Sequence, residues 1–136
     1  MKSLLLFSLL LLYTCESTEQ PAADCSSSSK ISENSSKTAD EAYLQKLSTE
    51  ISSLATEMPC SEDWKFTAIG SKPCGGPAGY IAYSPKIDTT CFLQKVAAFT
   101  EESRKFNEKY QRISDCSLQA PPKSVKCEGG KAVLVY

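Results

Sequence analysis

Six cysteines strung from Cys25 to Cys127, with a seventh at Cys15, constrain this chain more than any other feature. In a reducing compartment such a set serves metal binding or catalysis, whereas in an oxidising one it becomes a framework of cross-links. The N-terminus chooses between the two. Met1-Lys2 places a positive charge ahead of Leu4 to Leu12, a nearly unbroken apolar run with Phe7 and Ser8 inside it. That run is too short to span a bilayer, which takes about 20 apolar residues. A charged start, a short apolar core and then small or polar residues is the pattern of an export signal. Residues 1–14 are therefore expected to be a signal peptide, and disulfides the default state of the cysteines that follow.

Cys15 has two readings. Leu12-Tyr13-Thr14-Cys15 resembles a lipobox, which would make Cys15 the lipidated first residue of a membrane-anchored protein, although Thr14 stands where Gly, Ala or Ser is usual. Alternatively, an ordinary signal peptidase cuts nearby and Cys15 is incidental. Parity favours the first, because an odd cysteine count in an exported protein leaves one unexplained. With lipid on Cys15, the remaining Cys25, Cys60, Cys74, Cys91, Cys116 and Cys127 suffice for three bridges. Their connectivity is open.

Charge excludes more than it suggests. The chain carries 15 basic and 16 acidic residues and no histidine, and cleavage before Cys15 removes Lys2 alone. Nucleic acid would call for a concentrated basic face, so none is expected as a partner. The balance gives no reason for direct binding to anionic headgroups either.

Residues 15–37 read as a flexible tether. They hold Ser26-Ser27-Ser28-Ser29, Ser35-Ser36 and Pro21, with Ile31 the only large aliphatic residue. Such composition buries too little apolar surface to offset the entropy of ordering. From Thr38 onward the spacing predicts a single domain over 38–136. Thr38 and Glu41 have capping-box spacing; Leu44, Leu47, Ile51, Leu54 and Met58 share one helical face, and Pro59 is expected to end that helix. Two short apolar runs follow, Trp64 to Ile69 and Tyr80 to Tyr83, joined by a loop of turn residues from Gly70 to Gly79, and these read as two strands. A second helix, capped by Asp88 or Thr89, carries Phe92, Val96, Phe99, Phe106 and Tyr110 on one face. Its other face carries Glu101 with Lys105, Arg104 with Glu108 and Glu108 with Arg112 at i,i+4, the pattern of a solvated face. The chain closes as a hairpin around Gly129-Gly130, its last strand apolar on both faces and so expected to be central. The predicted fold is α+β: a small antiparallel sheet of about four strands with two helices packed on one face, stapled by disulfides. Cys60, Cys74, Cys116 and Cys127 are placed to form the domain's own bridges, leaving Cys91 to pair with Cys25 and anchor the tether.

Trp64 to Lys72 (Trp-Lys-Phe-Thr-Ala-Ile-Gly-Ser-Lys), Cys74-Gly75-Gly76-Pro77, Tyr80 to Ser84, Phe106 to Lys109, Ser114-Asp115-Cys116 and Gly130 to Val133 together resemble small, uncharacterised lipoproteins of Bacteroidota. The resemblance covers about Cys60 to Tyr136. It implies a lipid on Cys15 and a four-cysteine core, and it implies no activity, cofactor or catalytic residue. Cys25 and Cys91 are additions to its pattern.

The chemistry left open is narrow. Without histidine there is no Ser-His or Cys-His pair and the commonest metal ligand is missing. No close Cys-x-x-Cys knuckle suggests zinc, so neither a metal nor another cofactor is expected. Glu62-Asp63 and Glu101-Glu102 are adjacent carboxylates, but sequence neighbours point in different directions. The glycine-rich loop is the most suggestive local feature: Lys72, Cys74, Gly75 and Gly76 form a possible binding loop, with backbone N–H groups and one ammonium to hold an anion. The same loop allows a second reading, a secreted inhibitor presenting Lys72 to a trypsin-like protease. The expectation overall is an exported, lipid-anchored, non-catalytic binding or structural domain of the cell envelope, held to the membrane through Cys15, with a protein or small ligand as partner. It is expected to face the periplasm or the outer-membrane surface, with free secretion the alternative.

Overall fold

Ser36, not Thr38, opens the first helix: its Oγ accepts the Ala39 N–H at 3.2 Å. The computed structural model describes Cys25 and residues 30–136, in which helix α1 (Lys37–Ala55) is followed by β1 (Lys65–Ser71), β2 (Pro77–Tyr83), α2 (Thr89–Lys109), β3 (Ser124–Glu128) and β4 (Lys131–Val135). The expected export signal, Cys15 and the expected tether up to Ser29, apart from Cys25, lie outside the described residues. The cap falls ahead of the position that the Thr38 and Glu41 spacing predicts, and Asp40, in the first turn of α1, faces inward to Lys109 of α2. At the other end α1 stops at Ala55, short of Pro59, where the Thr56 backbone N–H and hydroxyl both reach back to the Ser52 carbonyl.

The two helices bury the stripes their spacing foretells. Leu47, Ile51 and Ala55 of α1 and Phe92, Val96 and Phe106 of α2 are buried. Ile51, Ala55, Phe92 and Val96 form one core with Tyr83 and Ile87, flanked by Leu54, Met58, Ile69, Ile81 and Phe99. Asp88 caps α2 by accepting the Cys91 N–H at 3.0 Å. Between the helices, the buried Lys95 ammonium meets the Glu50 carboxylate at 2.9 Å.

The strands form two antiparallel hairpins, β1 with β2 and β3 with β4, instead of one four-stranded sheet. In the first, Thr67 faces Ile81 and Ile69 faces Gly79, so Ile69, Ile81 and Tyr83 share the face that meets the core. Gly70 lies against α2, its N–H donating to Thr100 Oγ1 at 3.0 Å. Its φ is +70°, and a Cβ there would stand 3.0 Å from Ala78 Cβ and 3.3 Å from Phe99. Only glycine meets both demands. The expected central position of the last strand is corrected: β4 hydrogen-bonds to β3 alone among the described residues and meets β2 by packing. A covalent tie replaces the missing ladder, since Cys127 of β3 is bonded to Cys60 ahead of β1.

Three disulfides staple the fold, Cys25–Cys91, Cys60–Cys127 and Cys74–Cys116, with Cα–Cα distances of 5.2, 5.7 and 5.4 Å. The four cysteines Cys60, Cys74, Cys116 and Cys127 pair among themselves, and Cys91 anchors Cys25 as its position suggested. The tether's last part is more ordered than its composition foretells. Ile31 is buried, and the backbone N–H groups of Lys30 and Ile31 donate to the Glu102 carboxylate at 3.2 and 2.9 Å. Ile31 is buried and Glu102 satisfies the two amides, so ordering this segment is compensated, and the folded part begins by residue 30. Among the described residues no helix is long and apolar enough to cross a membrane, and the three bridges fit an oxidising compartment.

Candidate binding surface

Lys72, Cys74, Gly75 and Gly76 sit together at the tip of the first hairpin, where Gly75 and Gly76 take φ of +91° and +80°. The turn uses its own donors. The Lys72 N–H bonds the Gly76 carbonyl at 3.0 Å, and the Gly75 N–H bonds the Lys72 carbonyl at 2.9 Å. The Lys72 ammonium bends away from the glycines to the Ser117 carbonyl at 2.8 Å, Ser117 Oγ at 3.3 Å and the Asp115 carboxylate at 3.3 Å. Hydrogen bonds from Ser117 and Lys72 hold the Asp115 carboxyl below its ordinary range. An anion approaching this loop meets Asp115 and finds the ammonium engaged.

The loop instead serves as a foundation for another segment. Residues 112–122 carry no helix or strand, yet they are fastened to the hairpin tip by Cys74–Cys116 and by Lys72. At one end the Arg112 N–H closes onto the Asn107 carbonyl at 2.9 Å, and at the other Pro122 is buried and the Lys123 N–H bonds the Val135 carbonyl at 2.7 Å. Between those ends no backbone–backbone hydrogen bond joins residues 113–122 to the other described residues. Two aliphatic side chains stand out from this segment, Ile113 at 93 % and Leu118 at 86 % exposure. Leu118 lies over the turn, 3.9 Å from where a Cβ on Gly76 would be.

Among the described residues the buried charges are committed to structure. Asp40 accepts from the Lys109 ammonium and the Tyr110 hydroxyl, both at 2.8 Å, and Lys109 also reaches the Ser32 and Ser35 carbonyls at 2.6 and 2.7 Å. Burial alone would raise the Asp40 carboxyl, but hydrogen bonds from Lys109, Ser35 and Tyr110 outweigh it and hold it below its ordinary value of 3.8. The adjacent Glu101 and Glu102 diverge as helix neighbours must: Glu101 is exposed and bonds Arg104, while Glu102 is buried against the Lys30 and Ile31 amides and Lys105. Cys25, Asp88 and Cys91 form a close group of metal-ligand type, but the two sulfurs are bonded to each other and Asp88 caps α2. Beside them opens a cleft of about 430 Å³ over Ala97 and Ala98, edged by Tyr43, Glu101, Glu102 and Lys105. Burial, then the carboxylates of Glu102 and Glu50, push the Tyr43 phenol above its ordinary value.

The sequence places Cys74, Gly75, Gly76 and Lys72 side by side, and the structure keeps them so. It does not single out Ile113 and Leu118, because an irregular segment has no periodicity to read. The available signal is two isolated aliphatics among polar residues, close to Cys116 and to Pro121-Pro122. Compared with protein-family models, curated proteins and solved structures, the chain matches none.

Proposed function

We propose that this chain is an exported, lipid-anchored binding domain without catalysis of its own, which presents the stapled segment 113–122 to a protein partner. The observation that carries the reading is the contrast within that segment: its ends and middle are fixed covalently and by hydrogen bonds, while Ile113 and Leu118 are left at 93 and 86 % exposure. A disulfide placed on a segment with almost nothing to bury favours presentation over core stability. The buried carboxylates and ammonium groups serve internal pairs, which leaves exposed surface as the working part. The anchor is supported by parity, since the three bridges take six cysteines and Cys15 stands outside them, and by the resemblance to small Bacteroidota lipoproteins. Its place is then the cell envelope, with the domain reaching its partner on a short tether.

Two measurements test this. Intact mass from the native host should match cleavage before Cys15 plus acyl chains and rise by six hydrogens on reduction; a lipid-free mass overturns the anchor. A photo-crosslinker at position 118 should capture a discrete host protein that the same probe at Lys131, on the far hairpin, does not. Equal capture from both positions removes the segment as the binding surface.

A further inference from the structure

We infer that residues 113–120 form a preformed inhibitory strand for a serine endopeptidase with an apolar primary specificity pocket, with Leu118 as the residue that enters that pocket. This rests on the binding reading above and names the partner's class. The peptide groups of 113–122 lack backbone partners among the described residues, and a strand-receiving groove supplies such partners by hydrogen-bonding alternate residues of an extended peptide. Along Cys116-Ser117-Leu118 the alternation matters. The middle carbonyl, Ser117, points back to its own protein and is taken by Lys72 at 2.8 Å, which leaves the peptide groups on either side for a partner. Cys116, two residues before Leu118, is fixed to Cys74, and Pro121-Pro122 stiffens the far side. The segment has therefore surrendered much of its conformational freedom before binding, which is what separates a tight inhibitor from a substrate. Ser117 to Pro122 carries no charge, in keeping with an apolar pocket. The Lys72 ammonium, held by Ser117 and Asp115, is a support for this strand and not the residue offered to the enzyme.

A membrane is the weaker occupant, because hydrocarbon would leave those same peptide groups unpaired. A second copy is weaker too, since Pro121 and Pro122 have no N–H to extend a reciprocal ladder.

The full chain with Cys15→Ser, purified with its bridges intact, is titrated against α-chymotrypsin, pancreatic elastase and trypsin using chromogenic substrates. Inhibition of chymotrypsin or elastase, but not trypsin, is expected. Leu118→Ala should weaken it about 30-fold, the loss of one buried leucine side chain, and Leu118→Lys should transfer inhibition to trypsin. Lys72→Met should weaken it by less, about 3- to 10-fold, through lost preorganisation. Both Leu118 variants alter an exposed side chain, and unchanged circular dichroism certifies their fold. The inference is overturned if the wild type inhibits none of the three enzymes, or if Leu118→Lys fails to redirect it. Flotation of the lipid-free chain with neutral phosphatidylcholine vesicles, or self-association, either abolished by Leu118→Ser, overturns it in favour of a membrane or a second copy. Absent inhibition together with specific crosslinking from position 118 discards the protease and leaves the binding-domain reading standing.

Discussion

Replacing Asp40 with asparagine removes one negative charge from a site built around it while keeping the side chain's shape. Asp40 is 2 % exposed and faces Lys109 and Tyr110 at 2.8 Å each. A hydrogen bond to a charged group contributes about 1.5–3 kcal/mol, and breaking a buried pair costs about 3–5 kcal/mol. The asparagine oxygen still accepts from Tyr110, and Lys109 keeps two backbone carbonyls, so the low end applies, about 2–3 kcal/mol. For a domain of this size that lowers Tm by roughly 10–20 °C. The pH dependence gives the sharper check. The folded carboxyl lies below its ordinary value of 3.8, so its stabilisation is fully present above that value and fades as pH falls through the folded one. Thermal melts of wild type and Asp40→Asn, followed by far-ultraviolet circular dichroism with disulfides intact, should stay apart from pH 7 down to about pH 5 and begin to draw together only below about pH 4. A variant melting within a few degrees of wild type at pH 7, or a gap that widens as pH falls below about 4, refutes the account.

Gly70→Ala should cost about 2–3 kcal/mol in urea unfolding, from the left-handed backbone and from the 3.0 Å approach to Ala78. Gly75→Ala, with a φ of +91° but open space around it, should cost about 1–2 kcal/mol, and equal losses at both sites would deny the packing part. Glu102→Gln should loosen the segment that Glu102 holds through the Lys30 and Ile31 amides. Amide exchange at Ile31 is expected to quicken about tenfold; exchange unchanged would mean that Glu102 does not order the segment.

What could be read in advance follows the distinction between periodic and non-periodic structure. Leu47, Ile51, Phe92, Val96 and Phe106 announce their burial through spacing, and Asp88 announces its cap. The turn glycines and the paired apolar runs announce the first hairpin. The break into two sheets has no local signature, because β4 is as apolar as a central strand would be, and only its hydrogen-bonding partners distinguish the two. Ile31 is hidden in serine-rich surroundings, and its burial depends on Glu102, distant in sequence, accepting the amides beside it. The Asp40–Lys109–Tyr110 contact is equally non-local: Asp40 looks like a helix-start acid until α2 is in place. Composition says the tether is poor in apolar surface, yet residues 30–36 are held by one buried aliphatic side chain, the Cys25–Cys91 disulfide and bonds to Glu102 and Lys109.

The placement of the bridges ties these threads together. The core formed by Ile51, Ala55, Tyr83, Ile87, Phe92 and Val96 draws on α1, α2 and the first hairpin with its following loop, and of the six bonded cysteines only Cys91 is buried. The other five lie outside that core: on the tether, the entry to β1, the hairpin tip, the 112–122 segment and the second hairpin. Cross-links on a small exported domain are usually understood as compensation for a thin core. Here they fasten periphery to core, and two of the three serve an evident structural need, holding the tether and a hairpin that lacks a sheet partner. Cys74–Cys116 differs, because what it fastens buries almost nothing and displays Ile113 and Leu118. The cross-link restricts the unfolded chain wherever it sits, and the proposed binding role adds a reason for this position, since a partner then gains the burial of those side chains at a lower cost of ordering the segment.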